Sequence, residues 1–199
     1  MHILYSYRRC PYAMRARMAL KLAGINVEVR EVSLRDKPVH MLQVSPKATV
    51  PVLVLQDGTV IEQSLEIMHW ALQEHALGAN IHEASEALIL ENDAAFKQAL
   101  DAYKYPERYP SKTQIQYRAA GEVFLQKLEN LLLENVYLFS ATPSLADIAI
   151  FPFVRQFAAV DAVWFDEADY PKLRVWLQTL VDSSLFASIM EKQPTYQTM

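Results

Sequence analysis

The chain has 199 residues, 52% of them hydrophobic and 21% charged, with four glycines, one cysteine and a formal net charge of −4. This composition excludes a disordered, collagen-like or low-complexity chain, and the length allows one large domain or two modest ones. The lone cysteine, Cys10, excludes an internal disulfide framework and a multi-cysteine zinc site, and a pI near 5.7 gives no reason to expect nucleic acid as a partner.

Taken in chain order, Ile3 to Tyr5 is a short apolar run that reads as a strand. Pro11 to Ala23 reads as a helix, with Met14, Met18 and Leu22 at helical spacing and Gly24 as the stop. Val27 to Val32 alternates with period two, as a half-buried strand does, and a helical turn is expected from Pro38 to Val44. Val50 to Leu55 reads as a buried strand, and Asp57-Gly58 turns it into Thr59-Val60-Ile61 as a hairpin. A helix from Ser64 to about Glu74 completes a βαβαββα unit, parallel at first by a crossover and then antiparallel.

The pattern then changes. A linker is expected at 77–82, and from Glu83 no strand is predicted. Ser85 to Tyr103, Thr113 to Asn135, Leu145 to Val160 and Lys172 to Val181 read as helices, with Pro106, Pro110, Pro143 and Pro171 in the breaks. Ser144 and Asp147 form a variant capping box of structural purpose. Two domains are predicted, residues 1–76 and 83–199. Met1 to Tyr7 does not resemble a signal peptide. Asp147, Arg155 and Asp161 interrupt the most apolar long window, Leu145 to Phe165, so no spanning helix is expected. The expected setting is the cytoplasm, with no membrane partner.

Charge is uneven along the chain. Residues 1–37 carry +5, so the remainder carries −9, and Cys10 lies in the basic part. Some of these cations, Arg15 and Lys21 among them, are expected to do no more than solvate a helix face. Cys10 follows a strand and precedes Pro11, which suits the first helical position, so Cys10 is expected at the N-cap or next to it. There its sulfur would face unpaired N–H groups at the positive helix end, with Arg8, Arg9 and Arg15 adding to the field. Thiols in such settings titrate at about 3.5–7.5 instead of about 8.5. Cys10 is therefore the candidate nucleophile. The five histidines show no paired ligand spacing, so no metal is expected.

The run Cys10-Pro11-Tyr12-Ala13 resembles the Cys-Pro-Tyr-Cys of glutaredoxins with Ala13 in place of the second cysteine. Arg9-Cys10-Pro11-Tyr12-Ala13 is closer to the active-site run of omega-class glutathione transferases. The resemblance continues at Lys37-Pro38, Val50-Pro51-Val52-Leu53, Gln63-Ser64, Ser144-Leu145-Ala146-Asp147 and Pro171-Lys172-Leu173-Arg174-Val175-Trp176.

It implies a thioredoxin-like, glutathione-binding N-terminal domain followed by an all-helical glutathione transferase C-terminal domain, with glutathione as co-substrate and a homodimer as the assembly. By position, Val50 would pair its backbone with the cysteinyl part of glutathione beside a cis Pro51. Gln63 and Ser64 would hold the γ-glutamyl end, where Gln63 stands in place of a frequent glutamate, and Lys37 would meet the glycyl carboxylate. Tyr12, Tyr103 and Trp176 would line the second-substrate pocket.

The resemblance favours a thiol transferase or reductase working through a Cys10–glutathione mixed disulfide on disulfides, glutathionylated molecules or dehydroascorbate-like compounds. Two alternatives stay open. One is a conjugating transferase using a hydroxyl near Tyr5–Tyr7; the other is a non-catalytic binding or regulatory protein of the same fold.

Overall fold

The computed structural model describes residues 1–73, 75 and 83–197; the expected linker at 77–82 and the helix end at Glu74 lie outside the described residues. The chain divides into two compact units, Met1–Ala79 with Ser183–Met199, and Asn80–Asp182.

The first unit holds β1 (His2–Ser6), α1 (Pro11–Leu22), β2 (Val27–Glu31), α2 (Val39–Val44), β3 (Val52–Val54), β4 (Val60–Ile61) and α3 (Ser64–Leu72). The sheet runs β2-β1-β3-β4. β1 is parallel to β2, with Leu4 opposite Val29, and antiparallel to β3, with Tyr5 opposite Val52. β3 and β4 form the expected antiparallel hairpin, and Gly58 takes φ +89 in its turn, a value only glycine adopts without strain. The expected thioredoxin-like βαβαββα order is the observed one.

Strand alternation sends Tyr5, Val52 and Val54 to one face, where they meet Val32 and Met41. Met41 is the one buried residue of α2. α1 is buried from Ala13 to Leu20 without a break. That run contains both Arg15 and Arg17, and the expectation of a solvated face fails for Arg15.

The last residues belong to this unit and not to the helical domain expected to run to 199. α10 (Ser184–Ile189) packs on α1, and beyond it the Tyr196 N–H donates to the Glu31 carbonyl at 2.7 Å. Thr195 thereby bridges the exposed edge of β2, covering backbone groups that an edge strand leaves unpaired.

The second unit is helical: α4 (Glu83–Glu91), α5 (Lys97–Lys104), α6 (Gln114–Glu134), α7 (Leu145–Ala158), α8 (Ala162–Glu167) and α9 (Pro171–Val181). A π-helical turn, Asn92–Phe96, joins α4 to α5, where the sequence predicts one regular helix. α8 and α10 are short helices that the sequence pattern does not predict. Pro171 begins α9 instead of lying in a break, since its missing N–H is harmless at that position. The Ser144–Asp147 capping box is present as expected, and Thr113 with Gln116 forms a second one at the start of α6.

Phe157 of α7 lies directly over Gly121 of α6, and a Cβ there would collide with its ring. Phe157 also contacts Phe96 at 5.3 Å and Tyr103 at 4.8 Å between ring centroids, so a small residue on α6 gives the aromatic core its room.

Candidate active site

Cys10 is the N-cap of α1, with Pro11 following it. It is half-buried. The sulfur accepts no capping hydrogen bond from the helix, unlike the arrangement expected from the sequence. Its thiol is directed instead at the Val50 carbonyl oxygen, 3.7 Å away. The Val50–Pro51 peptide bond is cis. Fold and chain order thus bring Cys10 and Val50, 40 positions apart, into contact.

The β1–α1 loop is held from below. Arg17 donates to the Ser6 hydroxyl, to the Tyr7 carbonyl at 3.4 Å and to the Arg8 carbonyl at 2.8 Å. The Cys10 N–H also reaches the Tyr7 carbonyl, at 3.0 Å, and the Arg8 N–H goes to the Glu31 carboxylate at 2.8 Å. Burial pushes the Arg17 guanidinium down to about 10, against the pull of Glu31 and of charge on Cys10. Arg9, by contrast, turns its exposed guanidinium onto the Tyr7 hydroxyl.

Ser64 opens α3, and its buried hydroxyl accepts a 3.0 Å bond from Arg15 Nε. Gln63 is the exposed N-cap of the same helix, and its side chain makes no capping bond. The neighbouring Glu62 points elsewhere. It accepts from the Ser45 hydroxyl at 2.6 Å and pairs with Lys47 at 3.5 Å, bracing the segment that leads to Val50. The Ser45 hydrogen bond holds the Glu62 carboxyl below its ordinary range. Lys37 is half-buried just ahead of α2.

The hydroxyls of Tyr5, Ser6 and Tyr7 are engaged elsewhere. Tyr5 is fully buried, and its oxygen takes Arg30 Nη1 at 2.9 Å and lies 2.6 Å from His40 Nδ1. Burial pushes this phenol above its ordinary value. Ser6 is fully buried against Arg17, and Tyr7 is the acceptor for Arg9.

The residues expected to line a second-substrate pocket are divided between the two units. Tyr12 is half-buried in the first unit, its ring 5.1 Å from the Arg15 guanidinium. Tyr103 and Trp176 belong to the core of the second unit, each 2% exposed. Tyr103 packs on Phe157, and Trp176 donates its indole N–H to Asp147 at 2.7 Å. Side chains so enclosed offer a ligand almost no surface, which corrects the expectation for both. Among the described residues, no group of three or more His, Cys, Asp or Glu could hold a metal ion, and no helix is long and apolar enough to cross a membrane.

Arg17, Glu31, Glu62 and the link from Arg15 to Ser64 are absent from the sequence-based expectations.

Residues 4–80 match the family model described as glutathione S-transferase, N-terminal domain, and residues 117–179 match that of the glutathione S-transferase C-terminal domain. A probable glutathione transferase of Aplysia californica is 33% identical over 91 residues, 45% of this chain and 94% of the relative. The chain belongs to the glutathione S-transferase family. Mouse glutathione S-transferase omega-1 is 27% identical over 203 residues, which cover 98% of this chain and 82% of the relative. Among solved structures, glutathione transferase Omega 3C of Trametes versicolor superposes with a TM-score of 0.80 at 21% identity. That match covers 98% of this chain and 91% of the other. The family model for the N-terminal domain spans Cys10, Val50, Gln63 and Ser64 together.

Proposed function

We propose that this protein is a glutathione-dependent thiol transferase or reductase whose nucleophile is Cys10. The observation that carries the reading is the half-buried Cys10 at the start of α1, its sulfur facing the Val50 carbonyl at 3.7 Å. A thiol placed at a helix N-terminus is biased toward its anion.

In the first step the Cys10 thiolate attacks the glutathione sulfur of a glutathionylated substrate. A Cys10–glutathione disulfide forms, the substrate disulfide breaks, and the released substrate thiolate takes a proton. In the second step the thiolate of another glutathione attacks the glutathione sulfur of that mixed disulfide. Oxidised glutathione departs and Cys10 returns as thiolate. With no second cysteine in the chain, this monothiol sequence needs no internal disulfide, and an acidic Cys10 is a good leaving group in its second step. Other disulfides are further acceptors of the same class, and dehydroascorbate would instead take two electrons and two protons from the Cys10 thiol and one glutathione thiol, leaving ascorbate and the same mixed disulfide.

Residues 1–76 would supply the glutathione site. Val50 would meet the cysteinyl backbone of the tripeptide, with Pro51 shaping that edge. Ser64 and Gln63 at the α3 N-terminus would take the γ-glutamyl end, because unpaired helix N–H groups attract a carboxylate. Lys37 would attract the glycyl carboxylate. Chemistry that consumes reduced glutathione suits a reducing compartment, the cytoplasm.

Mass spectrometry of the protein incubated with oxidised glutathione tests the reading, with one glutathione on Cys10 as the expected product. Cys10→Ser should lose glutathione-dependent disulfide reduction by roughly 10³-fold or more and gain aryl halide conjugation. An unmodified wild-type Cys10, or full reductase activity in Cys10→Ser, overturns it.

A further inference from the structure

We propose that Arg17 is the positioning residue for the Cys10 thiolate, clamping the loop ahead of α1 and holding a buried positive charge within reach of the sulfur. The proposal rests on the reading of Cys10 as nucleophile and adds to it the group that tunes it.

Arg17 lies seven residues beyond Cys10, about two turns along α1, and helical side chains lean back toward the helix start. Its guanidinium therefore ends beneath the loop that carries Cys10. It binds the carbonyls of Tyr7 and Arg8 and the hydroxyl of Ser6. The Tyr7 carbonyl is also the acceptor for the Cys10 N–H, so one oxygen joins the cation to the backbone of the nucleophile. From the other side, Glu31 holds the Arg8 N–H. Carbonyls and amides of the loop are thus fixed by two different elements, α1 and β2.

Geometry alone does not require a cation here. Arg17 is 7% exposed, and its Nε has no hydrogen-bond partner. Burial works against its charge, Arg8 opposes it as well, and only Glu31 and the Cys10 sulfur favour it. A buried charge costs stability unless something nearby gains from it; Glu31 is one such group, and an ionised Cys10 sulfur is the other. The exposed Arg9 guanidinium is turned to Tyr7 instead.

The test is the pH dependence of Cys10 alkylation by iodoacetamide in full-length wild type, Arg17→Met, Arg17→Lys and Arg9→Gln, with circular dichroism as the check of folding. Arg17→Met should move the midpoint up by about one unit, which is roughly tenfold slower alkylation at a pH below both midpoints. Arg17→Lys, which keeps the charge, should recover more than half of that shift, and a residue with a merely structural role would show no such rescue. Arg9→Gln should shift the midpoint by less than about 0.3 unit, since an exposed charge is screened.

A folded Arg17→Met with the wild-type midpoint overturns the proposal, and so does a larger shift in Arg9→Gln. Should Arg17→Met fail to fold, wild type in 1 M salt decides. A midpoint held in place supports a buried charge, and one that rises to that of an ordinary thiol assigns the effect to surface arginines and overturns the role of Arg17. A wild-type midpoint near 8.5 at low salt refutes the reading of Cys10 itself, a result distinct from the failure of Arg17.

Discussion

The two units bury charges of opposite sign. Among the described residues, the first encloses two cations, Arg15 and Arg17, and the second encloses two anions, Glu129 and Asp147. Their partners differ in kind. Arg17 and Arg15 reach the loop before Cys10 and the hydroxyl of Ser64, the segments proposed to hold an anionic sulfur and an anionic peptide end. Asp147 and Glu129 instead serve backbone N–H groups, at helix starts and in the segment ahead of α7, and one indole. Asp147 takes Leu138 N at 3.0 Å, Ser144 N at 2.7 Å and Trp176 Nε1 at 2.7 Å. Glu129 takes the first amides of α9, Lys172 N at 3.0 Å and Leu173 N at 2.7 Å. A buried anion at a helix N-terminus completes the architecture, whereas a buried cation beneath a nucleophile acts on chemistry.

If that division is right, removing a buried anion should cost stability and leave the chemistry of Cys10 untouched. The largest effect is expected at Asp147. Asp147→Ala strands a buried indole N–H and two backbone amides, and breaking a buried network of this kind costs about 3–5 kcal/mol. Urea unfolding should show the loss, while the Cys10 alkylation rate under native conditions stays within about twofold of wild type. A large change in that rate would erase the distinction between the two regions.

Glu129→Gln is milder, because the amide keeps one acceptor oxygen for two donors. A loss of about 2 kcal/mol is expected, measured in the same way. A loss as large as that of Asp147→Ala would mean that the carboxylate charge, and not the count of acceptors, secures the start of α9.

This comparison also separates what the sequence can reveal from what it cannot. Cys10 before Pro11, the Asp57-Gly58 hairpin and the Ser144–Asp147 box are legible because each is settled by residues within a few positions of one another. Burial of Arg15 and Arg17 depends on what covers α1, and Arg15 meets its partner 49 positions away at Ser64. Glu129 reaches Lys172 across 43 positions, with no local signal at either end. The bridge from Thr195 to Glu31 joins the two ends of the chain. The π-helical turn at Asn92 lies in a stretch whose spacing reads as regular helix. Trp176 and Tyr103 mislead for the related reason that aromatic residues suit a pocket wall and a core equally well, and only packing separates the two.

The smallest effect concerns alkaline pH, where the two regions should differ in degree. In the second unit, burial and the nearby Glu122 push the Tyr170 phenol up to about 12. Between pH 10 and pH 12 the unfolded chain has lost that proton and the folded protein has kept it, so stability falls as pH rises. In the first unit, burial raises the Tyr5 phenol in the same direction, but Arg30 donates to it and works against the rise. From pH 9 to pH 11 the Tyr170 contribution amounts to about 1 kcal/mol. Tyr170→Phe should therefore lose less stability than wild type over this interval, read from urea midpoints at the two pH values, and Tyr5→Phe should depart from wild type by less. An equal change in the two variants would mean that the cation beside Tyr5 does not offset its burial.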